Sequence, residues 1–223
     1  MQLAFFGDSW VSGCEANEKD GWDAPEFAFA SYFQDSVNLG FSGGSNDYFV
    51  SQLTNYLDKI DVAVFCLTEP SRRYWQDDSG EWINGNRTSS DLEHVNKHLV
   101  SLSNDVNDDR LTSETCVLLY TLCKTNNIRA YFVNMFGGQY CDSELWQLIP
   151  EDAWLLPRHT CIAAHCFDTQ DWFPEFPTTG DFTDWLHTNN ADVQQYIRPC
   201  EAHPNKLGHK AIAEFIRERI NDL

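Results

Sequence analysis

Two segments, one near each end of the chain, carry the residue types of a serine-based active site. The apolar residues 3–6 run straight into GDSW at residues 7–10, which places Ser9 on the turn after a predicted buried strand. A serine hydroxyl is a weak nucleophile until a neighbouring base takes its proton, and an acceptor must hold that base in the right tautomer. The sequence must therefore supply a histidine and a carboxylate to serve Ser9.

The segment CEAHPNKLGH, residues 200–209, supplies both just before the last predicted helix. Pro204 favours an extended backbone at His203 and keeps this histidine outside the helix. With one residue between them, Glu201 and His203 point the same way from an extended loop, so the carboxylate can accept a hydrogen bond from the imidazole Nδ1–H. The pattern predicts His203 as general base and Glu201 as its partner, and His209, on the helix, as structural.

A glycine-rich segment, FSGGSN at residues 41–46, follows the second predicted strand. Consecutive glycines let backbone N–H groups approach a ligand closely, so a glycine N–H in this segment can stabilise a tetrahedral oxyanion. Asn46 can donate to the same oxyanion. Helix capping is an equally good interpretation of Asn46, and it also suits Asp47, because both residue types are favoured at helix starts.

The three segments, in this order and spanning nearly the whole chain, resemble the motif blocks of the SGNH (GDSL-like) hydrolases. The resemblance implies a flavodoxin-like three-layer α/β/α fold in which a serine attacks an ester carbonyl. It implies that Ser9 is the nucleophile, that His203 is the general base, and that the N–H groups of Ser9 and Gly43 bind the oxyanion. Glu201 stands where the family usually has aspartate, and the longer side chain can still orient the imidazole.

The chain departs from the family after its third predicted strand. The usual Gly-x-Asn-Asp block is replaced by LTEPSR, residues 67–72, so the family's oxyanion asparagine is missing. A carboxylate at Glu69 would repel an oxyanion, which leaves Asn46, Thr68, Arg72 or no residue as the missing donor, with Asn46 favoured. LTEPSR together with the glycine-rich segment also resembles a subset of SGNH-like proteins found in viruses of bacteria.

Short apolar runs alternate with longer amphipathic segments, which predicts an α/β fold with a parallel sheet covered on both faces. Ligands bind beyond the carboxyl ends of the strands in such sheets, where the motif segments lie. The predicted strands are residues 3–6, 36–39, 62–67, 129–135 and a fifth at 160–167. The predicted helices are residues 25–34, 46–57 after a Ser45 cap, 91–106, 113–125 and 206–220.

The length of 223 residues predicts a single domain over residues 1–223. Its aromatic-rich insertions, at about residues 69–89 and 136–190, are expected to form loops over the site. Their tryptophans can stack on sugar rings or acyl chains, although burial in the core is the commoner role of tryptophan.

The composition limits the classes of partner that the protein is expected to bind. The net charge of −19 argues against binding nucleic acid through its phosphates. We expect no membrane segment and a soluble, cytoplasmic protein, because no signal peptide or bilayer-length apolar run is present. The scattered cysteines suit a reduced compartment.

Four residues of metal-binding type (His159, Cys161, His165 and Cys166) would partly share a strand face. No closed four-ligand spacing emerges, so we favour buried strand residues and predict neither a metal nor a cofactor.

The sequence therefore predicts a serine-dependent ester hydrolase that works through an acyl-enzyme on small-acyl esters, such as O-acetylated carbohydrate. Two alternatives stay open: a catalytically weak or inactive SGNH-like protein that binds glycans or serves a structural role, and an acyltransferase. The residues do not indicate an oligomeric state.

Overall fold

A parallel sheet of four strands forms the centre of the computed structural model, which describes residues 1–14, 25–70, 72–76, 82–85, 105–135, 143–166 and 203–220. The strands are β1 (Leu3–Gly7), β2 (Ser36–Gly40), β3 (Val62–Leu67) and β6 (Arg129–Asn134), in the spatial order β2-β1-β3-β6. Counted among themselves in chain order, the four run 2-1-3-4, as in flavodoxin-like sheets. The first four predicted strands are thereby confirmed to within a residue or two.

The helices and a small hairpin complete the described elements. The helices are α1 (Ser9–Ser12), α2 (Tyr48–Thr54), α3 (Asp105–Thr125), α4 (Ile162–Cys166) and α5 (Lys206–Arg219). The hairpin pairs β4 (Arg73–Gln76) with β5 (Trp82–Gly85) in antiparallel fashion and lies in the first predicted insertion. In the second insertion, short 3-10 turns at Glu144–Leu148 and Glu151–Ala153 precede α4.

Both faces of the sheet are covered, because side chains alternate along each buried strand. From β1, Leu3 and Phe5 join a cluster that includes residues of α1, α4 and α5, whereas Ala4 and Phe6 join a cluster with residues of α2 and α3. All residues of β1 and β3 are buried. The predicted three-layer α/β/α fold is confirmed.

Cysteines fill small apolar spaces in this core. Of the six cysteines in the described segments, all are free thiols and only Cys166 is not fully buried. Burial raises the pKa of the Cys123 thiol to about 12. The Cys123 thiol therefore stays protonated, and the buried cysteines pack as small hydrophobic groups.

The fifth predicted strand is wrong, because residues 162–166 form the helix α4. A turn precedes it, in which the Thr160 N–H donates to the carbonyl of Pro157 at 2.9 Å, and Ile162 and Ala163 then pack in the core. Beside β6 the chain instead makes a single parallel bridge, between Phe132 and Trp154. A short apolar run is compatible with a buried strand or a buried helix, and here tertiary packing favours the helix.

The helix over residues 25–34 is also wrong: the chain forms two 3-10 segments, Pro25–Phe27 and Phe29–Tyr32. Ala28 is extended between them, and the Phe29 N–H donates to the imidazole of His209 instead of to a helical carbonyl. A contact with a residue far along the chain thus replaces the local helix.

Two other helices differ in length from their predictions. The helix α2 begins at Tyr48, because the predicted cap Ser45 donates its hydroxyl to the Asp47 carboxylate before the helix starts. The helix α3 begins at Asp105, eight residues before the predicted start at Ser113. Most of the predicted helix 91–106 lies outside the described residues, and its last two residues belong to α3.

Gly40 allows α1 to lie directly against the end of β2. A Cβ at this position would lie 2.1 Å from the Ser12 nitrogen and 2.5 Å from the Val11 carbonyl carbon, so backbone would have to move. We predict that Gly40→Ala lowers the free energy of unfolding by about 3 kcal/mol in urea denaturation. Gly43→Ala is the control: Gly43 has a φ of +77° but open space around its Cβ position, and should cost only about 1 kcal/mol. An equal or larger loss in Gly43→Ala would contradict this account.

Candidate active site

Ser9 and His203 meet at the carboxyl ends of the strands although 194 residues separate them. The Ser9 Oγ lies 2.9 Å from the His203 Nε2, and both residues are partly buried. When the imidazole carries its proton on Nδ1, Nε2 accepts a hydrogen bond from the serine hydroxyl. This is the geometry that a general base needs in order to activate a nucleophile.

The turn after β1 presents Ser9 as the first residue of α1. Asp8 occupies the N-cap position, and its carboxylate accepts a hydrogen bond from the Trp10 N–H at 3.0 Å. The helix ends after one turn at Gly13, whose φ is 82°. Ser9 is therefore not the cap of this helix, and its hydroxyl is directed to His203.

The segment before α5 holds His203 outside the helix, as the sequence predicts. Asn205 is the N-cap of α5, and its side-chain oxygen accepts hydrogen bonds from the N–H groups of Leu207 and Gly208 at 2.9 and 3.1 Å. The cap fixes where the helix begins and hence where His203 leaves it. Glu201, the predicted partner of His203, lies outside the described residues, so its role stays a prediction.

A second histidine, His209, lies on the first turn of α5 and is fully buried. Its Nδ1 accepts a hydrogen bond from the Phe29 N–H at 3.2 Å. Burial, together with the nearby His203, lowers the pKa of His209 to about 3. His209 is therefore neutral at ordinary pH and ties α5 to the 3-10 segment, in keeping with the structural role that the sequence suggests.

The glycine-rich loop after β2 lies over residues 7–10, which we call the nucleophile turn after the predicted role of Ser9. The Phe41 N–H donates to the carbonyl of Gly7 at 2.9 Å, and a Cβ at Gly44 would lie only 3.2 Å from that same oxygen. Gly43 adopts a φ of +77°, and a Cβ there would meet nothing within 4 Å. The loop thus brings Gly43 near the turn that carries Ser9, in a conformation that favours glycine and with open space beside it.

Asn46 joins this loop to the end of β3. Its Nδ2 donates to the Thr68 carbonyl at 3.1 Å, and its Oδ1 accepts from the Thr68 N–H at 2.9 Å. The side chain is buried and does not cap α2, whose N-cap position belongs to Asp47. The capping interpretation of Asn46 is therefore wrong, while its second amide hydrogen keeps the oxyanion role open as a prediction.

The other two candidate donors both bind Asp8. The Thr68 hydroxyl and the Arg72 guanidinium donate to Oδ2 of this carboxylate at 2.9 and 2.8 Å, and Arg72 also lies 3.7 Å from the carboxylate of Glu69. Burial, and then the charge of Asp8, raise the pKa of the Cys66 thiol. Sequence reasoning missed the connection between Asp8 and Arg72, because nothing in the spacing of 64 residues signals it.

Two tryptophans of the second insertion belong to the core. Trp146 is fully buried and donates its indole N–H to Asp109 at 2.8 Å. Trp154 packs against Trp146 and Phe132, with ring centroids 5.5 and 5.4 Å apart. For these two residues, core burial explains the aromatic character better than stacking on a ligand does.

The four residues of metal-binding type, which the sequence favoured as buried strand residues, do not form a metal site in the described segments. His159 and His165 are exposed, Cys161 is buried, and no group of three or more His, Cys, Asp or Glu there is able to hold a metal ion. They also do not share a strand, since α4 contains two of them.

Among the described helices, none combines the length and the apolar character that crossing a bilayer requires.

Two solved structures are similar to this one over nearly their whole length. A protein from Desulfitobacterium hafniense DCB-2, described as a lipolytic protein of the G-D-S-L family, has a TM-score of 0.51 at 10% identity, covering 98% of this chain and 99% of its own. The acetyl xylan esterase AlAXEase has a TM-score of 0.50 at 13% identity, covering 99% of this chain and 100% of its own. No protein-family model and no curated protein matches the sequence. At such identities the likeness concerns the fold.

The buried His209 predicts a loss of stability in acid. Its folded pKa of about 3 lies below the ordinary value of 6.5, so the unfolded chain binds the proton more readily. The contribution of His209 is fully present above about pH 6.5 and declines as the pH falls towards 3, by up to about 1.4 kcal/mol per pH unit. We predict that His209→Asn flattens the pH dependence of urea unfolding between pH 6.5 and 4. The exposed-residue control His159→Gln should keep the wild-type slope, and an unchanged slope in His209→Asn would refute the assignment.

Proposed function

Because the chain has the fold of the SGNH (GDSL-like) hydrolases, we propose that it is a serine-dependent ester hydrolase that works through an acyl-enzyme. One observation carries the proposal: the Ser9 Oγ lies 2.9 Å from the His203 Nε2 at the carboxyl ends of the strands. A serine at this place in the sheet with an imidazole in hydrogen-bonding distance has the arrangement of an activated nucleophile.

The reaction proceeds in two stages. Ser9 Oγ attacks the ester carbonyl carbon while its proton passes to His203 Nε2, which gives a tetrahedral intermediate and an imidazolium. The bond to the leaving oxygen then breaks, and His203 returns the proton to the departing alcohol. In the second stage water replaces the alcohol: His203 takes its proton, the hydroxide adds to the acyl carbon, and the acid leaves as Ser9 regains its proton. Glu201, two positions before His203 in the sequence, is the proposed residue that orients the imidazole.

The oxyanion requires donors near Ser9. The N–H of Ser9, in the first turn of α1, and the N–H of Gly43, in the loop above it, are the proposed pair. The Asp8 carboxylate already occupies the N–H of Trp10, so that group is not available. The second amide hydrogen of Asn46 is the proposed third donor, and its first hydrogen bond, to Thr68, would hold it in place. Losing one such donor typically costs about 10² to 10³ in turnover.

The proposed substrates are small-acyl esters, O-acetylated carbohydrate among them. Support comes from the fold that the chain shares with an acetyl xylan esterase. The sequence offers no extended apolar lid of the kind that long acyl chains would need.

Acyl-chain selectivity and two variants test the proposal together. With acetyl, butyryl and octanoyl esters of one chromogenic alcohol, we predict the highest kcat/KM for acetyl and the lowest for octanoyl. Ser9→Ala and His203→Ala should each lower kcat by at least about 10⁴-fold, because neither half of the pair activates without the other. Ser31→Ala and His159→Ala, which change the same residue types away from the site, should retain wild-type turnover.

Either of two results would contradict the proposal. If Ser9→Ala kept its turnover, another group would be the nucleophile. If the folded wild-type chain hydrolysed none of the esters, the non-catalytic binding alternative would replace the hydrolase. A clear optimum at octanoyl would leave the mechanism in place but overturn the small-acyl assignment.

A further inference from the structure

Asp8, the residue before the proposed nucleophile, is a fully buried carboxylate that accepts hydrogen bonds from its own turn and from the segment after β3. Its Oδ1 accepts from the Trp10 N–H at 3.0 Å, within α1. Its Oδ2 accepts from the Thr68 hydroxyl, just after β3, and from the Arg72 guanidinium, four residues further on. A buried carboxylate is costly unless it is paired and hydrogen-bonded, so the conformation of the nucleophile turn depends on these donors.

Arg72 differs from the other two donors because it carries charge. Its side chain is only 14% exposed, and its terminal nitrogen lies 2.8 Å from Asp8. Trp10 and Thr68 contribute neutral hydrogen bonds, so within the described structure the compensation of the Asp8 charge comes from Arg72. The Glu69 carboxylate lies 3.7 Å from Nε of the same guanidinium and forms a second ion pair with it.

The position of Arg72 in the chain is informative as well. It belongs to LTEPSR, which stands where SGNH hydrolases usually have the block that carries the oxyanion asparagine. In this chain the segment reaches the nucleophile turn through an ion pair with Asp8. LTEPSR therefore makes a polar contact between the segment after the third strand and the turn that carries Ser9, in place of the family's usual block.

We propose that Arg72 is a positioning residue of the active site, which fixes and neutralises Asp8 so that Ser9 keeps its hydrogen bond to His203. The inference rests on the proposed esterase function for its kinetic consequences. Arg72 acts through Asp8: the carboxylate, held on one oxygen by Arg72 and Thr68, uses its other oxygen to fix the first turn of α1. With Arg72 removed, the buried charge of Asp8 would be uncompensated beside the groups that exchange the proton.

The charge predicts a signature that simple loss of structure would not give. A negative charge near an imidazole favours its protonated form, and a positive charge favours the neutral form. Uncompensated Asp8 in Arg72→Met should therefore raise the pH at which the His203 ring titrates. Asp8→Asn, which leaves Arg72 uncompensated, should lower it. The double variant Asp8→Asn/Arg72→Met is neutral at both positions and should return towards wild type.

Other charged groups near His203 remain the same in all these variants. The pKa of His209, lowered by burial and by the nearby His203, keeps that side chain neutral in every variant. Glu69 and Glu201 are the same residues in all of these variants. Differences among the variants therefore report on Asp8 and Arg72.

The neighbouring Arg73 provides a matched control. It is also partly buried and also pairs with a buried carboxylate, but its partner is Asp108 on α3 and not Asp8. Arg73→Met should lose stability like Arg72→Met while leaving the titration of His203 and kcat unchanged. Arg72→Lys keeps the charge but not the planar fork, so it should restore the titration of His203 more fully than it restores kcat.

The experiment follows the His203 ring by NMR through a pH titration of the full chain, in parallel with kcat and KM on acetyl esters. We expect Arg72→Met to lower kcat by about 10- to 100-fold, as small displacements of reacting groups do, with KM within about threefold of wild type. We expect the opposite titration shifts described above for Arg72→Met and Asp8→Asn. If Arg72→Met does not fold, we compare Asp8→Asn with the double variant, which lacks both charges. The His203 ring should then titrate at a lower pH in Asp8→Asn than in the double variant.

The outcomes separate this inference from the proposed function. If the wild-type chain hydrolyses no ester but the titration of His203 shifts in opposite directions in Arg72→Met and Asp8→Asn, the proposed function fails and the role of Arg72 stands. If the ester is hydrolysed but Arg72→Met matches Arg73→Met in kcat and in the titration, the role of Arg72 is overturned. Shifts in the same direction in Arg72→Met and Asp8→Asn would also overturn it.

Discussion

The hydrogen bond between the Ser9 hydroxyl and the His203 imidazole constrains the whole chain, because it requires residues from opposite ends of the sequence to meet within 2.9 Å. A parallel sheet satisfies this requirement, since it collects the carboxyl ends of all its strands at one edge. Ser9 directly follows β1, in the interior of the sheet, and α5 packs in the same core cluster as α1. The helix start fixed by Asn205 then sets the position of His203.

Close backbone contacts give this edge its rigidity. Gly40 lets α1 lie against the end of β2, and Gly44 lets the following loop approach the carbonyl of Gly7. Asn46 joins the same loop to the backbone of β3 through two hydrogen bonds, and Asp8 joins the nucleophile turn to Thr68 and Arg72. The turn that carries Ser9, the loop after β2 and the segment after β3 are therefore linked to one another by polar contacts. In each of these contacts a donor is paired with an acceptor. Such preorganisation is what electrostatic stabilisation of a transition state requires.

The sequence predicted the parts of this structure that depend on continuous apolar runs or on local chemistry. The central strands β1 and β3 were readable because strands covered on both faces are apolar throughout, and the proline after His203 showed that it lies outside α5. The fifth strand failed because five residues, 162–166, satisfy a buried helix and a buried strand equally. The helix at residues 25–34 failed because a donor hydrogen bond to His209, 180 residues away, determines the backbone there. The contact between Asp8 and Arg72 was invisible for the same reason. Glu201 as the partner of His203 stays a prediction.

Labelling with a fluorophosphonate probe, followed by peptide mapping, tests the central claim most directly, because the probe requires an activated serine and no knowledge of the substrate. We predict that wild type is labelled at Ser9 alone and that His203→Ala, shown to be folded, takes up no label on the same timescale. Labelling of a different serine, or a folded wild-type chain that takes up no label, would contradict the claim that Ser9 and His203 form an activated pair.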